Sequence, residues 1–293
     1  MNPAAPPIDA ASVDEARFAA LKAEIAAYVA EEGERWTRQI EAERAVPSGL
    51  RAELRERGYL SLAGPAEYGG QGIPFSRYLE LLELFSMSHA SLRMIVHVAN
   101  GVWRAVDQFA TDAQREAYVL PAVTGELTIA FTLTEPTAGT GADLRCEVER
   151  DGDLYLLSGT KHLITFGVSC DRWLLFARLA GTTGSEGTVA LMVDRSTEGV
   201  AVEDMGESLG VRGTDHARLV FDRAPVPVSD RLGTLVSLSP GFALGLRPVA
   251  GLRKIAVGDP HSAGRFYPAT DCHGSLHRQR VLYRRPSQHG LDY

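Results

Sequence analysis

The spacing of apolar residues changes near residue 125, and this change limits the folds that the chain can adopt. Before it, apolar side chains recur every three or four residues, which is typical of amphipathic helices. The first such stripe consists of Phe18, Leu21, Ile25, Tyr28 and Val29. After it, apolar residues alternate or form short runs between turns rich in Gly and Asp, which is typical of strands. We therefore predict an α+β protein with an all-α N-terminal domain, residues 1–125, and a β-domain, residues 126–233.

Local signals refine both predicted domains. The strand pattern occupies seven segments: 127–134, 146–150, 153–157, 173–179, 188–193, 199–204 and 217–221. Strands of this length and spacing favour a small antiparallel sandwich or barrel. In the helical part, Ser48 is placed to cap a helix that carries Leu50 and Leu54. Thr111 and Gln114 have the spacing of a capping box, which predicts another helix start.

Composition and charge narrow the classes of partner. The 293 residues are 45% hydrophobic and 23% charged, and their net charge of −7 disfavours binding to nucleic acid or to an anionic membrane surface. No apolar run reaches the ~18 residues of a membrane-spanning helix. The N-terminus lacks the basic and apolar regions of a secretory signal, and Cys146, Cys170 and Cys272 form no C-x-x-C pair. We therefore expect a cytoplasmic protein without a nucleic-acid partner, a membrane span or a metal site.

Two segments of the predicted β-domain carry the strongest functional signal. Residues 131–141 read FTLTEPTAGTG, a β-rich run that ends in a loop of small residues. Such a loop allows backbone N–H groups to approach a phosphate or an electron-rich ring closely. Residues 159–165 read GTKHLIT and end a predicted hairpin. The residues alone leave the function open, because Thr134 and Thr165 also suit plain strands and Gly139 suits a plain turn.

Together with three other segments, these two resemble the acyl-CoA dehydrogenase family. The others read PAEYGGQG at 65–72, LPAVTGE at 120–126, and LGVRGTD at 209–215 followed by LVFD at 219–222. Each segment alone is weak, whereas five in order at family-like spacing are specific. The resemblance covers roughly residues 15–257. It implies an N-terminal all-α domain, a middle β-barrel or sandwich domain, and a C-terminal helical bundle that is largely missing here.

The resemblance also implies a cofactor, a reaction and partners. Members of the family use FAD to desaturate an acyl thioester between its α and β carbons, a reaction of fatty acid metabolism. The implied ligands are FAD and acyl-CoA or a carrier-bound acyl thioester. The implied electron acceptor is electron-transfer flavoprotein or another acceptor. The family is homo-oligomeric, but most of the part that builds its interface would be absent from this chain.

By this resemblance, eight residues would contact the flavin. They are Phe131, Leu133, Thr134, Gly139, Thr140, Leu163, Ile164 and Thr165. Thr134 and the backbone of Leu133 would face the polar pyrimidine edge, and Thr165 would lie near the flavin N5. A flavin that takes a hydride at N5 moves charge toward N1 and O2, so donors at that edge stabilise its reduced form.

Three departures from the family pattern affect the expected flavin environment. Leu163 stands where many members have Trp, Phe166 stands where Asn is usual, and Asp143 lies later than the corresponding family Asp. Because the first two alter the flavin face, a flavin-dependent monooxygenase or oxidase on the same fold stays open as an alternative.

The C-terminal segment, residues 234–293, departs further from the family. It contains no Glu, and the last Glu of the chain is Glu207, so nothing matches the family's catalytic Glu and the base stays unassigned. Arg253 matches a family arginine near the acyl-CoA. From Asp259 onward the composition shifts to five Arg, three Asp and four His. We expect a truncated or frameshifted, poorly ordered segment, with desaturation impaired; a non-catalytic remnant is the alternative.

Overall fold

The computed structural model describes residues 14–137, 144–183 and 187–233. Helices occupy its first part and strands its second, as the change of period predicts. The α-helices of these residues are α1 (Glu15–Glu43), α2 (Leu50–Glu56), α3 (Phe75–Ser86), α4 (Ala90–Gly101), α5 (Trp103–Asp107), α6 (Asp112–Gln114) and α7 (Leu120–Val123). A π-helical turn, Arg115–Val119, joins α6 to α7, and 3-10 helices lie at Ala66–Tyr68 and Val228–Asp230.

Helix α1 follows directly from its sequence. The side chain of Asp14 accepts two hydrogen bonds from N–H groups of the first turn, which caps the helix at its start. Phe18, Ile25 and Tyr28 of the predicted stripe are buried, and the two remaining members are partly buried against the same core. The predicted apolar face of this helix is therefore confirmed.

The helix starts predicted from capping residues have different outcomes. Helix α2 is capped by Gly49, whose φ of +94° lies in the left-handed region, and no side chain caps it. The prediction that Ser48 caps this helix is therefore wrong, because a glycine turn sets the start instead. The capping box is confirmed, since the Gln114 N–H donates to Thr111 Oγ1 at 3.3 Å and the Thr111 N–H donates to Gln114 Oε1 at 3.0 Å.

The strands of the described residues form one hydrogen-bonded sheet. They are β1 (Ile129–Thr132), β2 (Glu147–Asp151), β3 (Leu154–Thr165), β4 (Arg172–Leu179), β5 (Thr188–Asp194), β6 (Val200–Asp204), β7 (His216–Pro227) and β8 (Arg231–Leu232). Their order is β6-β7-β3-β2-β4-β5-β8, with β1 beside β4. Every segment with the predicted strand pattern overlaps a strand, whereas β8 has no counterpart among them.

Two strand pairs are parallel, which the prediction of an antiparallel sandwich or barrel did not include. Strand β4 pairs with β1 and with β2 in parallel, while the other pairs are antiparallel. Parallel neighbours need a long crossover connection rather than a tight turn. The segment between β1 and β4, which includes the β2–β3 hairpin, supplies that crossover.

Strand β4 is the centre of the fold because it is buried on both faces. One face places Trp173, Leu175 and Ala177 in a core formed with β3 and β7. The other face places Leu174 and Phe176 against apolar side chains of α5, the π-helical turn and α7. The sequence of a strand that is covered on both faces is a continuous apolar run, and residues 173–177 form such a run.

A polar network between the helical part and the loop after β6 holds the sheet against the helices. Arg212, in the loop between β6 and β7, pairs with Glu41 of α1, Nη1 to Oε2 at 2.9 Å. His89 contacts the other oxygen of Glu41 at 3.1 Å, and its Nδ1 accepts the N–H of Ser91, so its Nε2 is the donor to Glu41. Ser91 Oγ in turn donates to the Arg212 carbonyl at 2.5 Å. This network fixes the loop 205–215 on α1 and α4.

Some of the predictions lie outside the described residues. These concern Gly139 and Thr140, Arg253, and the C-terminal segment 234–293. The domain limits at 125 and 233 stay predictions. Among the described residues, no helix is long and apolar enough to cross a bilayer.

Gly159 gives a direct test of the sheet geometry. Its φ is +134°, and an added Cβ would lie 2.6 Å from Cys146 Sγ and 2.8 Å from Cys146 Cα. We expect Gly159→Ala to lower the free energy of unfolding by about 2–4 kcal/mol, through clash and backbone strain together. Gly152→Ala is the control, because Gly152 also has a positive φ, +59°, but no atom lies within 4 Å of the added Cβ.

Urea unfolding followed by circular dichroism compares the two variants. The control measures the cost of a left-handed backbone without a clash, about 1–2 kcal/mol. Equal losses for the two variants would contradict the close approach of Gly159 to Cys146.

Candidate functional site

The end of β1 carries the first group of predicted flavin contacts. Phe131 is half-buried, and its ring packs on Phe176 with 5.0 Å between centroids. The Leu133 carbonyl accepts a hydrogen bond from Lys161 Nζ at 2.9 Å. The Thr134 carbonyl accepts one from the His162 N–H, also at 2.9 Å. The chain beyond β1 therefore runs directly beside the last residues of β3.

The end of β3 carries the second group. The register of β3 against β7 shifts between Lys161 and Ile164, and Leu163 in this bulge has a φ of +55° and is 54% exposed. A bulge of this kind redirects side chains at the end of a strand. Ile164 is buried beside Ala217, whereas Thr165 is half-buried.

The structure brings the two groups together. Thr134 is hydrogen-bonded through its carbonyl to a residue three positions before Thr165, so the two threonines lie on adjacent segments. Among the described residues, neither threonine hydroxyl has a hydrogen-bond partner, and both residues are half-buried. Two open hydroxyls on adjacent segments suit a polar ligand edge.

A buried ion pair, Glu135 with Lys161, holds these segments in place. Lys161 Nζ lies 2.8 Å from Glu135 Oε1. The side chain of Lys161 is 0% exposed and that of Glu135 is 2% exposed. The carboxylate also accepts the N–H groups of Arg145 at 2.7 Å and Cys146 at 3.0 Å. The pair therefore connects the end of β1, the start of β2 and the middle of β3.

The electrostatics of this pair follow from its burial and its contacts. Burial opposes ionisation of Glu135, but the charge of Lys161 and the hydrogen bonds from Lys161 and from two backbone N–H groups outweigh it and hold the pKa of Glu135 below its usual value. Burial lowers the pKa of Lys161, and Glu135 works against that effect. Glu135 is thus a carboxylate at neutral pH.

Phe166 anchors the end of β3 in the helical part. Its φ is +56°, and its ring is 2% exposed within the core of the helices. Its N–H donates to the Asp215 carbonyl at 2.9 Å, and the guanidinium of Arg51 lies over its ring with Cζ 4.5 Å from the centroid. The residues predicted to cover the flavin therefore lie between two anchors, Lys161 and Phe166.

Sequence reasoning left Glu135 and Lys161 without a role, although both lie inside the two singled-out segments. Two features of the sequence could have indicated their pairing. Lys161 lies within a largely apolar predicted hairpin, and Glu135 comes directly after a predicted buried strand. A charged residue at such a position needs a partner of opposite charge. Among the described residues, no group of three or more His, Cys, Asp or Glu side chains could hold a metal ion.

Two family models match the chain. The model "Acyl-CoA dehydrogenase, N-terminal domain" matches residues 16–126, and "Acyl-CoA dehydrogenase, middle domain" matches residues 130–224. The chain belongs to the acyl-CoA dehydrogenase family. The two matched segments coincide with the helices and with the sheet, so the predicted family and fold class are confirmed.

Relatives of known name and structure match the same part of the chain. A 3-(aryl)acrylate reductase of Clostridium sporogenes is 28% identical over 242 residues, 82% of this chain and 63% of the reductase. Subunit CarC of the caffeyl-CoA reductase-Etf complex of Acetobacterium woodii is 27% identical over 211 residues, 71% of this chain and 55% of the subunit. An acyl-CoA dehydrogenase structure from Geobacillus kaustophilus superposes with a TM-score of 0.70 at 26% identity, over 76% of this chain and 59% of that protein. The chain thus spans 55–63% of these relatives.

The ion pair at the centre of this family member can be tested by removing one charge. We expect Lys161→Met to lower the free energy of unfolding by about 3–5 kcal/mol, because it leaves the Glu135 carboxylate buried and unpaired. Arg218→Met is the matched control, since Arg218 pairs with Glu203 at 2.9 Å but the two side chains are 45% and 63% exposed. Exposed pairs contribute about 0–1 kcal/mol.

The double variant Glu135→Gln/Lys161→Met separates loss of the pair from loss of packing. Chemical denaturation should show that it recovers part of the stability lost in Lys161→Met, because no uncompensated charge then remains. A Lys161→Met variant as stable as Arg218→Met would refute the structural role of the pair.

Proposed function

We propose that this protein is a flavoprotein that binds FAD and acts on acyl thioesters. The observation that carries the proposal is the adjacency of the ends of β1 and β3, where Thr134 and Thr165 have hydroxyls without partners among the described residues. Family membership supports FAD as the cofactor, and the available hydroxyls suit the polar edge of a flavin.

The residues that would hold FAD fall into polar contacts and apolar contacts. Thr134 and Thr165 would donate or accept hydrogen bonds at the polar edge of the ring, and Phe131 and Leu163 would contact its apolar surface. Gly139 and Thr140 are proposed as pyrophosphate contacts from the family resemblance. The chemistry that bound FAD would supply is acceptance of a hydride from the β-carbon of an acyl thioester, coupled to loss of the α-proton to a base. The protein's share is to orient the ring and to keep its surroundings polar on one edge.

The proposed reaction class is α,β-desaturation of an acyl thioester or the reverse reduction. The reductases among the relatives of this chain carry names for the reduction of a double bond in this position, which supports the same chemistry in the opposite direction. The relative named as part of a complex with Etf supports electron-transfer flavoprotein as an electron partner. We further propose that Arg253 contacts the acyl-CoA.

A second candidate, a monooxygenase or oxidase on this fold, is favoured by one observation. Leu163 is 54% exposed at the position where the resemblance expects Trp. A smaller side chain there would leave one side of the flavin more open to a small oxidant such as O2. A flavin that is bleached anaerobically by acyl-CoA favours the dehydrogenase; a reduced flavin that reoxidises rapidly in air with product hydroxylation favours the alternative.

The flavin proposal predicts a loss of FAD affinity when the open hydroxyls are removed. We expect Thr134→Val and Thr165→Val each to raise the FAD dissociation constant about 2–10-fold, since one hydrogen bond contributes about 0.5–1.5 kcal/mol. Thr197→Val is the control, because Thr197 lies in the turn before β6, outside both segments. Fluorescence quenching of FAD measures the affinity of each variant, and equal values for all four proteins would count against this site.

The acyl-thioester proposal predicts slow turnover by the 293-residue chain. The family's base is a Glu, and this sequence has none after Glu207. A base must come within hydrogen-bond reach of the α-proton, so we expect FAD-saturated protein to oxidise short- and medium-chain acyl-CoA at least ~100-fold more slowly than a family member with that Glu. An artificial electron acceptor reports the rate. Turnover equal to that of the full-length relative would overturn this expectation and require another base, for which Asp259 and His261 are the first variants to make.

A further inference from the structure

A cleft of about 570 Å³ separates two segments that are far apart in sequence. One wall is the connection between α1 and α2, residues 44–51, and the other is the loop between β6 and β7, residues 204–215, with Ser169 beside it. None of the six predicted flavin contacts that the structure describes lines this cleft. A cavity of this size is typical of sites for small molecules.

Three arginines line the cleft, and two of them already have partners. Arg44 pairs with Glu207 at 3.3 Å, and Arg212 pairs with Glu41 at 2.9 Å. The third, Arg51, has no ion pair and no hydrogen bond to any of the residues that the structure describes; its close contact is the Phe166 ring. Among these three arginines, Arg51 is therefore the one whose charge has no ion pair with a described residue.

The nearby carboxylates are engaged elsewhere. Asp215 accepts hydrogen bonds from the Val168 N–H at 2.8 Å and from the Ser169 hydroxyl at 2.5 Å, and Asp204 accepts the Gly206 N–H at 2.9 Å. Burial lowers the pKa of Arg51, and the charges of Asp215 and Asp171 oppose that effect. The Arg51 guanidinium lies over the Phe166 ring, and none of its N–H groups donates to a described residue, so they are available to a ligand.

Two hydroxyl groups of the cleft lining also lack partners. Thr214 is 5% exposed, and its Oγ1 is buried without a hydrogen bond among the described residues. Ser48 is exposed, and since Gly49 rather than Ser48 caps α2, the Ser48 side chain is not used by the helix. A buried hydroxyl without a hydrogen bond is unfavourable unless a ligand or a water molecule supplies the missing partner.

We propose that this cleft binds a phosphate group, free or as part of a phosphate ester, with Arg51 as the main contact. A guanidinium donates two parallel hydrogen bonds to phosphate or carboxylate. Phosphate fits better because it has further oxygens beside the two that Arg51 would hold, which can accept from hydroxyls such as that of Ser48, and because it carries up to two negative charges where a carboxylate carries one. The cleft is larger than one phosphate ion, so it has room for the organic part of an ester.

Calorimetric titration of the 293-residue chain at constant ionic strength tests the proposal. The ligands are inorganic phosphate, AMP as a phosphate ester, and acetate as a carboxylate. We expect saturable binding of phosphate or AMP, with the tighter of the two indicating the source, and binding of acetate weaker by about tenfold or more. Equal affinity for acetate, or no saturable phosphate or AMP binding, would overturn the proposal.

Variants of two arginines that line the same cleft identify the contact. Arg51→Met should weaken phosphate binding about tenfold or more, whereas Arg44→Met, at an arginine already paired with Glu207, should change it less than about threefold. Arg51→Lys keeps the charge without the planar fork and should give an intermediate loss, which preserves the test if Arg51→Met does not fold. Equal binding by Arg51 variants and the original chain would refute the role of Arg51.

A titration with FAD already bound separates this cleft from the flavin site. A phosphate affinity that FAD leaves unchanged, and that Arg51→Lys still lowers, would support a separate anion site. Complete loss of phosphate binding in the presence of FAD would overturn it, because the ion would then occupy the flavin's own phosphate contacts.

Discussion

The Glu135–Lys161 ion pair is the interaction on which the candidate site depends. Removing two charges from water costs several kcal/mol for each ion, so such a pair persists only when its remaining donors and acceptors are satisfied. Here the Leu133 carbonyl takes one ammonium hydrogen, and the N–H groups of Arg145 and Cys146 complete the carboxylate. Three separate strands meet at this pair. The relative position of the two predicted flavin segments is therefore fixed by polar contacts, in addition to apolar packing.

The segment between Lys161 and Phe166 is held at both ends. Lys161 is fixed in the sheet by its ion pair, and Phe166 is fixed in the helical core. Leu163 and Phe166 both have positive φ values, which cost about 1–2 kcal/mol each for residues other than glycine. Such backbone strain persists only where the surroundings determine the conformation. The burial of Phe166 and the ion pair of Lys161 supply that constraint, and the exposed Leu163 side chain is its consequence.

The sequence predicted what depends on local periodicity. The stripe of α1, the seven strand segments and the order of the two parts all follow from apolar spacing, and five motifs indicated the family. Strand β7 extends beyond its predicted end and includes Pro225 and Pro227, which pair with β3. Strand β6 pairs with β7 only as far as Phe221, so no strand on that side of β7 requires an N–H donor from the two prolines. Parallel pairing of β4, the partner of Lys161 and the cleft at Arg51 depend on contacts between residues distant in sequence. The spacing of residues along a short stretch of sequence does not predict contacts of this kind.

The adjacency of Thr165 and Phe166 places the two proposed sites on consecutive residues. Thr165 belongs to the candidate flavin site, whereas the ring of Phe166 carries the guanidinium of Arg51 in the cleft. An anion that binds Arg51 would contact the guanidinium that lies over the Phe166 ring, and Phe166 is an anchor of the segment 163–165. If occupancy of one site shifts this segment, the other site must respond by the same free energy, because coupling between two binding equilibria is reciprocal. The short distance along the chain makes β3 the element through which any such coupling would act.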